Sequence, residues 1–265
     1  MTLEKTCRFR DRFFLFAPLR SLMNLTIDFG NTTIKTGVFD GRKLIHVEKH
    51  RKLSERNIIS LLKRFEINRA SSSSVIQSSK KAEEFLSGKI QLVRLLPTTS
   101  FPIRNFYESP KTLGMDRLAN VIGAHSLFPK KNVLVISAGT CITYDVITFG
   151  AEYFGGNITP GLDMRLRSMH TFTSRLPLVK KHPTLDLFGR NTKDSMITGV
   201  IKGTQFEMDG FISSYKKKYP SLKVILTGGD AAFFDGQLES KIFAVPHLVL
   251  HALNEILLFN DSQKV

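Results

Sequence analysis

From Asn24 onward apolar and polar positions alternate with a period of two. Leu25 and Ile27 flank Thr26, and the run ends in Asp28-Phe29-Gly30-Asn31-Thr32. That period puts successive side chains on opposite faces of a strand, and the small polar residues after it read as a turn. A second strand is expected over residues 34–39, a hairpin at Asp40-Gly41 and a third strand over 44–47. The spacing then changes: Ile58, Ile59, Leu61, Leu62 and Phe65 recur as on one face of a helix. A strand around 75–77 and a helix over 80–86 follow. Ser71–Ser74, just ahead of them, looks low in complexity but is too short for a linker.

The second half opens the same way. Residues 132–136 form an apolar run, Ser137-Ala138-Gly139-Thr140 turns, and 141–147 run on as a strand, with a third expected at 152–154. A long helix is expected over 193–218, stopped by Pro220. A strand at 224–226 ends in Thr227-Gly228-Gly229. The helix over 248–259 carries Leu250, Leu253, Ile256 and Leu257 on one face. Laid over each other, Asp28 to Lys35 and Ser137 to Tyr144 both give strand, Gly-bearing turn and returning strand. Either two hairpins resemble each other by chance, or a β-β-β-α-β-α unit is duplicated and two lobes face each other across a cleft.

Composition narrows the class. With 42% hydrophobic and 23% charged residues the chain has the balance of a soluble globular protein. No run approaches the roughly 18 apolar residues of a membrane span. Cys7 and Cys141 are a poor disulfide framework, so a reducing, cytoplasmic setting is expected. The net charge of +15 is dispersed in small groups such as Lys80-Lys81 and Lys216-Lys217-Lys218. Without a long basic tract or interleaved aromatics this reads as a solvated basic surface rather than a nucleic-acid face. Residues 1–22, with four arginines around a short apolar run, read as an extension ahead of the first strand.

Neither the P-loop nor the dinucleotide fingerprint is present, which leaves three Gly-bearing turns at Gly30, Gly139 and Gly228-Gly229. Glycine lets backbone N–H groups close on a phosphate. Asn31, Thr32 and Thr140 add donors, Lys35 adds a cation, and Asp28 at a strand end is placed to hold Mg²⁺ through water. Gly114-Met115-Asp116-Arg117 enters a helix. Asp116 there suits either a partner for the helix N-terminus or a base that accepts a hydroxyl proton during phosphoryl transfer. Arg117 suits a carboxylate or phosphate. The segment Gly155-Gly156-Asn157-Ile158-Thr159-Pro160-Gly161 reads as a shaped turn or as a close backbone approach to a ligand.

Taken in order, Asp28-Phe29-Gly30-Asn31-Thr32, Gly114-Met115-Asp116-Arg117, Ala138 to Asp145 and Gly155 to Gly161 resemble the motifs of type III pantothenate kinases. The resemblance implies an α/β fold of two duplicated ribonuclease-H-like (actin-like) lobes with a ligand cleft between them, here 23–129 and 130–265. It also implies a cytoplasmic homodimer that makes 4′-phosphopantothenate from pantothenate and ATP, at the start of coenzyme A synthesis. On this resemblance Asp28, Phe29, Gly30, Asn31, Thr32, Thr33, Ile34 and Lys35 form the ATP phosphate loop, with Thr140 a second ATP contact. Asp116 is the proton acceptor. Tyr107, Gly114, Met115, Asp116, Arg117 and Thr192 contact pantothenate, and Arg117 is expected to meet its carboxylate. Most members carry at the position of Ser137 an aspartate that helps bind an activating monovalent cation (K⁺ or NH₄⁺). Ser137 keeps an oxygen without the charge, so weakened potassium dependence is expected. Two other readings keep the nucleotide site: a non-catalytic transcriptional accessory factor, and a kinase of another small hydroxylated metabolite.

Overall fold

Leu25, Ile27 and Phe29 are fully or almost fully buried on one face of β1 (Met23–Phe29), where they pack against Ile58 and Leu61 of α1 (Glu55–Phe65) and Leu86 of α2 (Lys80–Ser87). The computed structural model describes residues 23–30, 33–74, 79–183 and 186–262. The N-terminal extension, the turn residues Asn31 and Thr32, and the strand expected at 75–77 lie outside the described residues. Helix α1 starts at a reciprocal Ser54–Asn57 capping box and ends at Glu66, whose φ of 50° is left-handed.

Around β1 the first sheet runs β3-β2-β1-β4-β5, with β2 (Ile34–Asp40), β3 (Lys43–His50), β4 (Ile67–Ser74) and β5 (Gln91–Arg94). The first three strands are antiparallel, and β4 and β5 join in parallel. The second sheet contains β7 (Val133–Ala138), β8 (Cys141–Ile147), β9 (Glu152–Pro160), β10 (Lys223–Thr227) and β11 (Phe243–Ala244). Its order β9-β8-β7-β10-β11 repeats the first sheet strand for strand, in the same parallel and antiparallel sense. A short β6 (Arg104–Asn105) is added beyond β9. The duplicated unit expected from the two hairpins is the fold.

Five layers result. Helices α1 and α2 cover the outer face of the first sheet. Helices α4 (Leu162–Thr171) and α5 (Thr192–Lys218) cover the outer face of the second, packing on Leu134, Ile136 and Ala138. Between the sheets lie α3 (Met115–Leu127) and α6 (Leu248–Ser262), which pack on each other. Val133 and Val135 of β7 face this middle layer, with Leu118, Val121 and Ile122 of α3 and Leu253 and Ile256 of α6. The helix that ends the chain is tied to the first sheet by hydrogen bonds. Asn24 Nδ2 donates to Asn254 Oδ1 at 2.8 Å, and Asn254 Nδ2 donates to the Gly41 carbonyl at 2.8 Å.

Two local expectations are corrected. Ser71–Ser74 is part of β4, and Ser71, Ser72 and Ser73 are buried because their hydroxyls are partnered: Ser71 with the Leu253 carbonyl at 2.9 Å, Ser72 with Glu83 at 2.6 Å and Ser73 with Asp28 at 3.2 Å. Gly155–Gly161, read as a turn or ligand approach, is the body of β9 apart from its last residue. Gly156 lies opposite Asp145, and a Cβ there would stand 1.9 Å from the Tyr144 carbonyl, so glycine lets β9 close on β8.

Candidate active site

Asp28 lies near the C-terminal end of β1, directly opposite Lys35 on β2 and beside Ser73 on β4. All three face the middle layer. Burial pushes the Asp28 carboxyl up from its ordinary value, Lys35 and the Ser73 hydroxyl pull it down, and the charge of Asp116 pushes it up again. Asp28 and Asp116 are near enough for the charge of one to act on the other, so the end of the first sheet and the start of α3 adjoin. Asp28 has the donor chemistry for a divalent cation.

The side chains of Phe29 and Ile34 turn the other way, into the core of the first lobe, so only their backbone is available to a phosphate. Helix α3 starts at Gly114, which carries no side-chain cap, with Met115 first in the helix and Asp116 next. Asp116 is exposed and caps nothing, whereas Arg117 beside it is buried. The guanidinium grips Asp145 on β8, Nη2 donating to Oδ1 at 2.6 Å and Nε to Oδ1 and Oδ2 at 3.1 and 3.2 Å. Burial works against the Arg117 charge, and the hydrogen bonds and charge of Asp145 more than offset it, leaving its pKa raised. Tyr153 donates to Asp145 Oδ1 at 2.8 Å, and the Tyr107 ring stacks on Tyr153 with its centroid 5.6 Å from the guanidinium carbon.

On the second sheet Ser137 is level with Thr143 of β8 and Thr227 of β10. By strand register Ser137 occupies the place that Asp28 has in the first sheet, and Thr143, rather than Tyr144, occupies that of Lys35. This row of hydroxyls, in which Thr143 Oγ1 is buried with no protein partner, offers oxygen but no charge. The Thr140 carbonyl accepts from Gly161 N–H at 3.1 Å, while the residue itself is exposed. Gly228 has φ +100°, and Asp230 N–H donates to the Ala138 carbonyl at 3.0 Å, so the turns after β7 and β10 are stitched together. Lys181 fastens the segment before α5 to this turn, Nζ donating to Asp230 Oδ1 at 2.7 Å and Asp163 Oδ2 at 2.7 Å. Thr192 opens α5 on the opposite face of the second sheet from Asp116, exposed to solvent.

Asp145 and Tyr153 were not singled out as site residues from the sequence. Asp145 stood in a quoted motif, and only its register with Gly156 and its reach to Arg117 give it a role.

Asp28→Asn is expected to raise the melting temperature at pH 7 without Mg²⁺. A carboxyl whose folded pKa is raised contributes fully below its unfolded pKa and loses that contribution as pH rises through the folded one. At pH 7, above its unfolded pKa, the wild type therefore bears the cost of burying this carboxyl, which asparagine lacks. Thermal melts at pH 7 and at an acid pH, where the difference vanishes, check this.

Two duplicated lobes, a glycine just after each first strand and a carboxylate at a helix start between them define an actin-like, two-lobed phosphotransferase. Solved structures with this fold include a Campylobacter jejuni protein named for the Baf family of transcriptional activators, with TM-score 0.55 and 24% identity over 90% of this chain and 99% of that one. A Listeria monocytogenes protein named for N-acetylmannosamine kinases has TM-score 0.52 and 11% identity over 91% of this chain and all of that one. At such identities they speak for the fold alone. The profile of the type III pantothenate kinase family matches residues 24–214. The type III pantothenate kinase of Bacteroides fragilis strain YCH46 is 42% identical over 242 residues, 91% of this chain and 100% of the relative, and that of Phocaeicola vulgatus is 42% identical over 241 residues with the same coverage. The chain belongs to the type III pantothenate kinase family.

Proposed function

We infer that this chain transfers the γ-phosphoryl group of ATP to the hydroxyl of pantothenate, giving 4′-phosphopantothenate and ADP. The observation that carries the reading is the nearness of Asp28 at the end of β1 to Asp116 at the start of α3, each acting on the other's charge. In phosphoryl transfer the protein mainly positions the reactants and offsets charge. The pantothenate hydroxyl oxygen attacks the γ-phosphorus, Asp116 takes its proton, and the bond from phosphorus to the bridging oxygen breaks as ADP leaves. Asp116 is exposed beside the end of β1, where an incoming hydroxyl can reach it.

The backbone from Gly30 to Thr33, Lys35, and Thr140 across the cleft hold the ATP phosphates. Asp28 would hold Mg²⁺ through water, kept in place by the Ser73 hydroxyl; the ion, when bound, neutralises charge on the β- and γ-phosphate oxygens. Tyr107 and Gly114 to Arg117 receive pantothenate, with the guanidinium toward its carboxylate. The enzyme acts in the cytoplasm as a homodimer. The outward face of β9, where Phe154 and Ile158 are exposed and Phe106 stacks on Phe154 at 5.1 Å, is in keeping with a second copy. No helix among the described residues is long and apolar enough to cross a membrane.

The test is ATP- and Mg²⁺-dependent formation of phosphopantothenate by the purified protein, against other hydroxylated metabolites in competition. Turnover of another metabolite in preference to pantothenate sinks the substrate assignment. A potassium titration of the same rate is expected to be shallow, because the row Thr227–Ser137–Thr143 supplies neutral oxygens only. A steep, saturable potassium requirement would contradict that.

A further inference from the structure

Arg117 is the arginine that α3 itself carries, beside Asp116, and how it is held decides what it can do. A free arginine offers its donors in any of several orientations. Here the Nε–Nη2 edge is taken by Asp145, which is wholly buried, while Arg117 is 5% exposed. Asp145 has no freedom of its own. It sits in mid-strand between Val135 of β7 and Gly156 of β9, and Tyr153 donates to the same oxygen that receives Nη2. A Cβ on Gly156 would stand 2.8 Å from that oxygen, so the absence of a side chain there makes room for the carboxylate. Tyr107 adds a second constraint, its ring centroid 5.6 Å from the guanidinium carbon and its hydroxyl hydrogen-bonded to Arg117. With one edge occupied, the planar group can present only its opposite edge, carrying Nη1, to anything outside.

We propose that Asp145 is a positioning residue for substrate selection: it locks the Arg117 guanidinium so that one donor edge meets the carboxylate of the acceptor substrate, and through it the enzyme prefers an acid to the matching alcohol. The inference rests on the reading that Arg117 faces the pantothenate carboxylate. Asp145 touches no reacting atom, and its effect passes through Arg117. The same ion pair also seats the first turn of α3, which carries Asp116, on the second sheet. The experiment must therefore separate selection of the carboxylate from placement of the base.

The probe pair is pantothenate and pantothenyl alcohol, in which CH₂OH replaces the carboxylate and the reacting hydroxyl is unchanged. The readout is the ratio of their kcat/KM values. In Asp145→Asn this ratio is expected to fall about tenfold or more, the size of one weakened charge-assisted contact. The fall arises from a higher KM for pantothenate, with kcat/KM for the alcohol and the KM for ATP nearly unchanged. Because asparagine leaves a buried guanidinium short of charge, that variant can fail to fold. Tyr153→Phe keeps the ion pair and removes one donor from Asp145, and is expected to lower the same ratio about two- to threefold. A wild-type ratio in every variant that folds, or an equal fall for acid and alcohol, overturns the proposal, the second because it marks a role in seating α3. A wild-type enzyme that uses the alcohol as well as the acid overturns instead the reading that Arg117 meets the carboxylate. Wild-type protein that phosphorylates neither overturns the assigned reaction.

Discussion

Asp116→Asn is expected to lower turnover of pantothenate by about 10²- to 10⁴-fold, the range lost when a positioned acid or base is removed. Asparagine has the same shape and still cannot accept the hydroxyl proton. The helix does not depend on this side chain for its cap, since Gly114 occupies that position and no side-chain cap is made. What remains is a favourable carboxylate in the first turn of α3, which contributes roughly 0.3–1 kcal/mol near a helix N-terminus. The variant should therefore fold, melt within a few degrees of wild type and keep its KM for ATP. Steady-state kinetics with both substrates, beside a thermal melt, separates the two roles left open by the sequence. A variant with near-normal turnover and a lower melting temperature would make Asp116 a helix partner only.

Gly228→Ala should give the second large effect, on stability and on ATP binding together. The residue has φ +100°, which an L side chain rarely adopts, and an added Cβ would stand 2.1 Å from the Ala138 carbonyl and 2.7 Å from its nitrogen. That contact is backbone on backbone, so no rotamer change relieves it. Strain of this kind, added to the positive φ, is expected to cost about 3 kcal/mol. For a domain of this size that corresponds to a fall of roughly 6–12 °C in Tm. The turns after β7 and β10 would move apart, the hydrogen bond from Asp230 to Ala138 would weaken, and the KM for ATP would rise with it. Gly229→Ala is the control, since nothing lies within 4 Å of a Cβ built there. Equal melting temperatures for the two variants would refute the steric account.

Much of this architecture was legible along the chain because the information is local. Alternation at Leu25 and Ile27, helical spacing from Ile58 to Phe65, and a Gly-bearing turn after each lobe's first strand follow from backbone geometry and the burial of one face. The repeated hairpin offered two facing lobes as one of two readings, and the start of α3 could be read from Gly114-Met115-Asp116-Arg117. Neighbouring residues carry those signals whatever the rest of the chain does.

Other features were decided only by tertiary structure. Four serines form the second half of β4 because three of their hydroxyls find partners on β1, α2 and α6, as far away as Leu253. No local pattern reports a partner 182 residues distant. Gly155–Gly161 extends as a strand because Tyr144 and Asp145 lie alongside it, and the last helix packs on the first sheet because Asn254 meets Asn24 and Gly41. Asp145 was the one charged residue in a largely apolar strand until the fold set it against Arg117. The sequence by itself determined most helices and the hairpin strands of each lobe, and it pointed to the repeat and to a candidate base, since periodicity and turn chemistry act over a few residues. The tertiary structure alone decided which buried polar groups meet, since a buried charge or hydroxyl is tolerable only where a partner from elsewhere in the chain satisfies it.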